Sequence, residues 1–235
     1  MRNDRPSGEH SDVSASAYAI TRTYRVDRKS VRALDGVAKD FVRGALTVIA
    51  GPSGSGKSSL LRILACIERP DSGYLQIGGE SVAEVGTRRR RRLRRRRIGY
   101  IFQDPVDNLV EYLTAGEQLT TAARLRGTKV SRDEITRLLD SLSLDGRRHH
   151  KPHQLSGGEQ QRVAVACAMI GGPTLVVADE PTAELDSVSA DRVLDGIGAL
   201  CRTGASFVLA SHDPRVIDRA DHLLRLEHGR TVETW

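Results

Sequence analysis

The run Gly51-Pro52-Ser53-Gly54-Ser55-Gly56-Lys57-Ser58 fills every fixed place of the pattern G-x-x-x-x-G-K-[ST]. Its chemistry is phosphate binding. The glycines let successive backbone N–H groups turn inward around phosphate oxygens, and a helix opening here adds its positive dipole end. Lys57 would reach the β- and γ-phosphates, and Ser58 would ligate Mg²⁺. Ser59, where the loop enters the helix, completes the expected nucleotide-binding run from Gly51. A second anion site stands at Ser156-Gly157-Gly158, within Leu155–Gln160, again ahead of a helix. The third feature is Asp179-Glu180, which ends the apolar run Leu175–Ala178. There Asp179 would hold Mg²⁺ through water, and Glu180 would act as the general base on an attacking water. The phosphate loop by itself leaves a kinase, a GTPase, a helicase or a transport ATPase open.

These residues need a scaffold, and the sequence supplies an α/β one. Leu46–Ala50 is an apolar run of the kind found in the centre of a parallel sheet, and it leads straight into the glycine-rich turn. A helix follows, with Leu60, Leu61, Ile63, Leu64 and Ile67 on one side. Tyr18–Val26, Val37–Phe41, Tyr74–Ile77, Ile98–Phe102, Leu175–Ala178 and Phe207–Ala210 read as strands. Leu223–Leu226 and Thr231–Val232 close the chain as a hairpin around His228-Gly229. Between the α/β parts, Leu113–Ser143 reads as helical, broken at Gly127 and restarted at the N-cap Ser131. Further helices are expected over Gly158–Ile170 and Val188–Cys201. Residues 1–16 are polar and aperiodic, and are expected to be a disordered tail. The remainder, 17–235, reads as one domain with a helical insertion at about 104–169.

Composition narrows the class. The chain has 235 residues, 39% hydrophobic and 28% charged, enough for a real core. No apolar run approaches membrane-spanning length. The three cysteines have no paired spacing and lie in apolar contexts, which reads as buried thiols in a reducing compartment. Net charge is +6, yet Arg88–Arg97 alone holds nine arginines around Leu93. The basicity therefore belongs to one segment. It reads as a solvated basic face, or as a contact for anionic lipid headgroups or an acidic partner. No aromatic platform accompanies it, so nucleic acid is not expected as a partner.

Leu155–Gln160 and Leu175–Glu180, set after the phosphate loop, resemble the signature and second acidic motifs of the ATP-binding cassette family. The resemblance covers about Tyr18 to Val232. It implies a P-loop NTPase (RecA-like) core, a helical signature subdomain and a small antiparallel β subdomain. It implies ATP and Mg²⁺ as cofactors and ATP hydrolysis as the activity. Gln103 resembles the glutamine that senses Mg²⁺ and the attacking water. His212 resembles the switch histidine on the γ-phosphate. Asp186 resembles the aspartate of the loop crossing the dimer interface, and Tyr24 the aromatic that stacks on adenine. Ser156, Gly157, Gly158 and Glu159 would serve the nucleotide on the opposite subunit. The implied active form is a head-to-tail dimer with two nucleotides between its copies.

Within the family the resemblance is to the macrolide-export and lipoprotein-release branch. It implies a cytoplasmic subunit held at the inner face of the membrane by a separate transmembrane permease. Export or extraction of membrane-associated compounds is the expected work. The alternative is a cell-division-type ATPase that signals through a membrane protein without transport. A soluble cassette acting on DNA or ribosomes fits less well, because Lys57 and Ser156 are only 99 residues apart and the chain holds one cassette. Three positions depart from the branch: Glu184 in Ala183–Asp186, Cys167 where arginine is usual, and Glu111 where proline is common.

Overall fold

A computed structural model describes residues 12–27, 29–82 and 85–235. Two sheets and a helical layer share two cores. β1 (Val13–Val26) pairs antiparallel with β2 (Lys29–Val42) and with β4 (Ser72–Ile77), and β5 (Glu80–Ser81) extends the edge. The second sheet has six strands: β10 (Arg230–Thr234), β9 (His222–Glu227), β3 (Leu46–Ala50), β8 (Phe207–Ser211), β7 (Leu175–Asp179) and β6 (Ile98–Ile101), in that spatial order. All are parallel except β10, which returns along β9.

The uniform apolar runs follow from this position. On β3, Leu46, Val48 and Ala50 face one core while Ile49 faces the other. On β8, Phe207 and Leu209 alternate with Val208 and Ala210 in the same way. A strand buried on both faces has no polar side to show. Burying one such Leu, Ile or Phe contributes about 1.5–3 kcal/mol.

Helix α1 (Lys57–Leu64) follows the phosphate loop and buries Leu60, Leu61, Ile63 and Leu64. It stops at the cap Ala65, and Cys66 takes a left-handed conformation. Ile67 is therefore off the helix and partly exposed, contrary to the periodic reading. α3 (Ala115–Arg126) and α4 (Arg132–Asp140) form the helical layer with α5 (Gly157–Met169). Gly127 ends α3 at φ 82°, where a side chain would be strained. Ser131 caps α4 in a reciprocal box with Glu134, and Thr114 does the same for α3 with Glu117. α6 (Ser187–Arg202) packs beside α5, and the short α7 (Pro214–Ile217) follows β8.

Two features correct the sequence reading, and a third adds an element it had not assigned. β1 starts at Val13, inside the stretch 1–16 expected to be disordered; Ser14 and Ala15 are buried, and the Ser14 hydroxyl donates to the Phe41 carbonyl. Residues 1–11 lie outside the described residues. β2 is longer than Val37–Phe41, since pairing with β1 continues along its exposed half. The arginine run is a helix, α2 (Thr87–Arg97), with Leu93 its one buried residue. Arginine is a strong helix former, and a single apolar anchor docks the helix beside β6.

α5 meets β6 very closely. A Cβ on Gly99 would lie 2.5 Å from the Ala168 carbonyl oxygen. Buried Arg126 ties the same corner by donating to the Ile98 and Ala168 carbonyls at 2.7 and 2.6 Å. Gly99→Ala forces these backbones apart. It is expected to cost about 1–3 kcal/mol, read as a lowered thermal midpoint.

Candidate nucleotide site

The phosphate loop starts at the C-terminal end of β3 and is pinned from two sides. A Cβ on Gly51 would lie 2.2 Å from the Leu226 carbonyl oxygen of β9. A Cβ on Gly56 would lie 2.4 Å from the Ala33 carbonyl oxygen of β2. The Gly229 N–H, in the β9–β10 turn, donates to the Ser55 carbonyl at 3.0 Å. Lys57 is buried, and its Nζ donates to the Gly51 and Pro52 carbonyls at 2.8 and 3.0 Å. The ammonium thus lies across the mouth of its own loop. Pro52, Ser53 and Gly54 are exposed at the tip, and Ser59 is half-buried on the first turn of α1.

The neighbouring strands deliver the catalytic candidates to the same edge. Ala50 is in register with Ser211, and Asp179 with Ala210. Glu180 and His212 therefore emerge beside the loop. Glu180 has φ 46°, a left-handed conformation that is costly for a residue with a Cβ. Its Oε1 lies 2.8 Å from His212 Nδ1, and its Oε2 accepts from the Ser211 hydroxyl at 3.2 Å. Both oxygens are oriented, and the side chain is only 16% exposed. Ser211 carried no signal of its own in the sequence. Its buried place one residue before His212 is what gives it this role.

Asp179 opens into a cleft of about 620 Å³ with Arg62, Glu68, Phe102, Gln103 and Glu184. Gln103 Nε2 donates to Glu184 Oε1 at 3.5 Å, so one of the family departures meets the glutamine loop directly. Among the described residues, neither the exposed Ser58 hydroxyl nor the Asp179 carboxylate has a protein partner. A hydroxyl and a carboxylate are hard oxygen donors of the kind Mg²⁺ takes alongside phosphate and water. Tyr24 stands on β1. Its hydroxyl donates to Glu68 at 2.7 Å, and the Arg22 guanidinium covers its ring at 4.8 Å from the centroid. Glu68 is a positioning residue that the sequence reading did not single out.

Ser156 is the N-cap of α5, and Gly157 and Gly158 form its first turn. Gly158 is needed for close approach: a Cβ there would lie 2.7 Å from Ser189 Cβ on α6. Asp186 caps α6 by accepting from the Ser189 N–H at 2.9 Å. Glu159, read as a nucleotide contact, has both carboxylate oxygens engaged at the start of its own helix. It accepts from the Ser156 N–H at 2.9 Å and from Arg147 Nε at 2.7 Å. Here it holds the start of α5. Ser156, Gly157 and Asp186 remain exposed, and Gly158 and Asp186 both meet Ser189 on α6.

A glycine-rich phosphate loop, an acidic strand end and a histidine on adjacent parallel strands define a P-loop nucleotide hydrolase. The chain belongs to the ABC transporter family, whose sequence profile matches residues 34–183, and it is an ABC ATPase. It is 38% identical over 213 residues to an ABC transporter ATP-binding protein of Thermotoga maritima, covering 90% of each chain. It is 34% identical to the lipoprotein-releasing system ATP-binding protein LolD of Chromohalobacter salexigens, covering 98% of each. It is 40% identical to the macrolide export ATP-binding/permease protein MacB of Hyphomonas neptunium, covering 91% of this chain but 33% of that protein. Among solved structures, a dimeric post-hydrolysis state of the ATP-binding cassette MJ0796 with ADP and Pi superimposes with a TM-score of 0.80. Identity there is 30%, with 94% of this chain and 97% of that chain covered.

Arg147 and the Ser156 N–H hold the Glu159 carboxyl at about 2, well below its ordinary 4.5. A depressed carboxyl stabilises the fold above its unfolded value and loses that contribution as pH falls through the folded one. The stability gap between the native chain and Glu159→Gln is therefore expected to hold at neutral pH. It should close between about pH 4.5 and 2, as read by chemical denaturation at stepped pH.

Proposed function

We propose that this ATPase works as a pair of copies closing head to tail on two Mg·ATP, and that closure drives a separate membrane permease. The observation that carries the chemistry is Glu180, fixed between His212 and Ser211 at the edge that also carries Lys57.

In the proposed reaction, Lys57 releases the loop carbonyls and binds the β- and γ-phosphate oxygens. Glu180 takes a proton from the attacking water as the water oxygen bonds to the γ-phosphorus. The bond from that phosphorus to the β–γ bridging oxygen breaks, and ADP leaves. His212 would donate Nδ1–H to the Glu180 carboxylate and, as the imidazolium, Nε2–H to the γ-phosphate. Ser58 and Asp179 would hold Mg²⁺, with Gln103 reporting on it; when bound, the ion neutralises charge on the phosphate oxygens. Tyr24 would lie against adenine. Ser156, Gly157 and Gly158 would close over the nucleotide of the opposite copy, and Asp186 would cross the seam between copies.

Closure is work only if ATP binds the closed pair better than the open one. Gln103, at the entry to the helical layer, would carry the nucleotide state to the permease. The likeness to LolD and MacB supports export or extraction of membrane-associated compounds, at the inner face of the membrane. Among the described residues no helix is long and apolar enough to cross a membrane.

Glu180→Gln is expected to bind ATP normally and to lower turnover by about 10²–10⁴-fold in a steady-state phosphate-release assay. Turnover at the native rate would remove Glu180 as the base. Lys57→Ala is expected to weaken ATP binding by about tenfold or more in equilibrium titration. Unchanged affinity would remove the loop as the nucleotide site.

A further inference from the structure

Helix α2 concentrates charge without balancing it. From Glu80 to Arg97 the sequence holds nine arginines and two glutamates, a net +7. Leu93 is the anchor, and the arginines sort around it by helical spacing. Arg89, Arg92 and Arg96 fall on one flank, Arg90 and Arg94 on the other, and Arg88, Arg91 and Arg95 point outward.

The first flank lines a cleft of about 760 Å³ between α2 and the C-terminal end of α3. Its charged walls are Arg89, Arg92, Arg96, Arg97, Arg126 and Glu80. Glu80 reaches Arg89 and Arg97 at 3.6 and 3.3 Å. Arg126 spends both terminal nitrogens on backbone carbonyls, and its buried Nε has no partner among the described residues. Arg92 and Arg96 meet no carboxylate among the described residues.

The other flank has no carboxylate partner among the described residues either. Arg94 donates to the Cys66 carbonyl, Arg69 donates to the Val85 carbonyl, and a buried nitrogen of Arg90 has no partner among the described residues. Burial, with Arg69 and Arg94 close by, pushes the Arg90 guanidinium below its ordinary value. Like charges on one short helix repel one another, and an anion between them would offset that repulsion.

We propose that the cleft between α2 and the end of α3 binds a phosphate-bearing anion, supplied either by membrane lipid headgroups or by a free polyphosphate. Guanidinium forks match phosphate oxygens two at a time. The cleft lining includes no aromatic ring on which a nucleic-acid base could stack, and α2 exposes no apolar residue for an amphipathic peptide. An anion here would touch α2, which feeds β6 and Gln103, and α3, which belongs to the helical layer. It would therefore brace those two parts against each other, whatever the permease.

The test compares two double variants of equal charge in the full chain. Arg92→Gln with Arg96→Gln neutralises the cleft; Arg91→Gln with Arg95→Gln neutralises the outward face. All four side chains are exposed, so both variants should fold, with thermal midpoints equal to or above that of the native chain. One probe is phosphatidylcholine vesicles with and without phosphatidylglycerol, followed by co-sedimentation. The other is inositol hexakisphosphate, titrated with the phosphate loop saturated by Mg·ADP. The cleft pair is expected to lose about 10–30-fold in affinity for at least one probe, and the outward pair less than about threefold. Binding to the vesicles alone identifies a headgroup site, and binding to the soluble probe alone a free-anion site. Equal losses in the two pairs, or no binding of either probe by the native chain, would overturn the proposal.

Discussion

Everything at the nucleotide site depends on the register of three parallel strands. β3, β8 and β7 end in adjacent rows, with Ala50 beside Ser211 and Ala210 beside Asp179. The residues that follow, Gly51, His212 and Glu180, are brought to one edge by backbone hydrogen bonds alone. A parallel sheet buried on both faces resists slippage, because moving a strand by one residue would exchange the residues facing its two cores. The strain at Glu180 is sustained by that rigidity. Its left-handed backbone is held while Ser211 and His212 orient both carboxylate oxygens.

The phosphate loop uses the same frame differently. Its glycines are compressed against Leu226 and Ala33, so the loop is shaped by the C-terminal hairpin and the N-terminal sheet as much as by its own sequence. Its outer tip stays exposed. Ser156 and Gly157 are exposed too, at the start of a helix whose other end is tied to β6 through Arg126. The proposed head-to-tail pairing would bring these two exposed half-sites together from opposite copies. Glu159 fixes Ser156 through its N–H, with Arg147 as the counter-ion.

Much of this was legible in the sequence because the chemistry is local. The glycine spacing, the acidic strand end and the Ser131 cap are each read within a few residues. The apolar runs that mark the parallel strands are continuous for the same reason that they are central. What escaped the sequence depends on distant partners. β1 gains its early residues from pairing with β2 and β4, so polar Ser14 is buried with the Phe41 carbonyl as its partner. Ile67 fits the helical period but lies past a stop set by the left-handed turn at Cys66. The arginine run read as a solvated basic face with no element assigned to it; one leucine and strong helix propensity make it a helix. Glu68, Ser211 and the contact between Gln103 and Glu184 become visible only once strands and loops are placed side by side.

The central claim is that the signature of one copy completes the nucleotide site of the other. Light-scattering mass of Glu180→Gln, alone and combined with Ser156→Arg, tests it most directly. With Mg·ATP, Glu180→Gln should run at twice the mass it has without nucleotide. The combined variant should keep the single-copy mass, because the arginine blocks the anion site at the start of α5. A combined variant that still doubles its mass with ATP, or a Glu180→Gln chain that never does, would contradict the account.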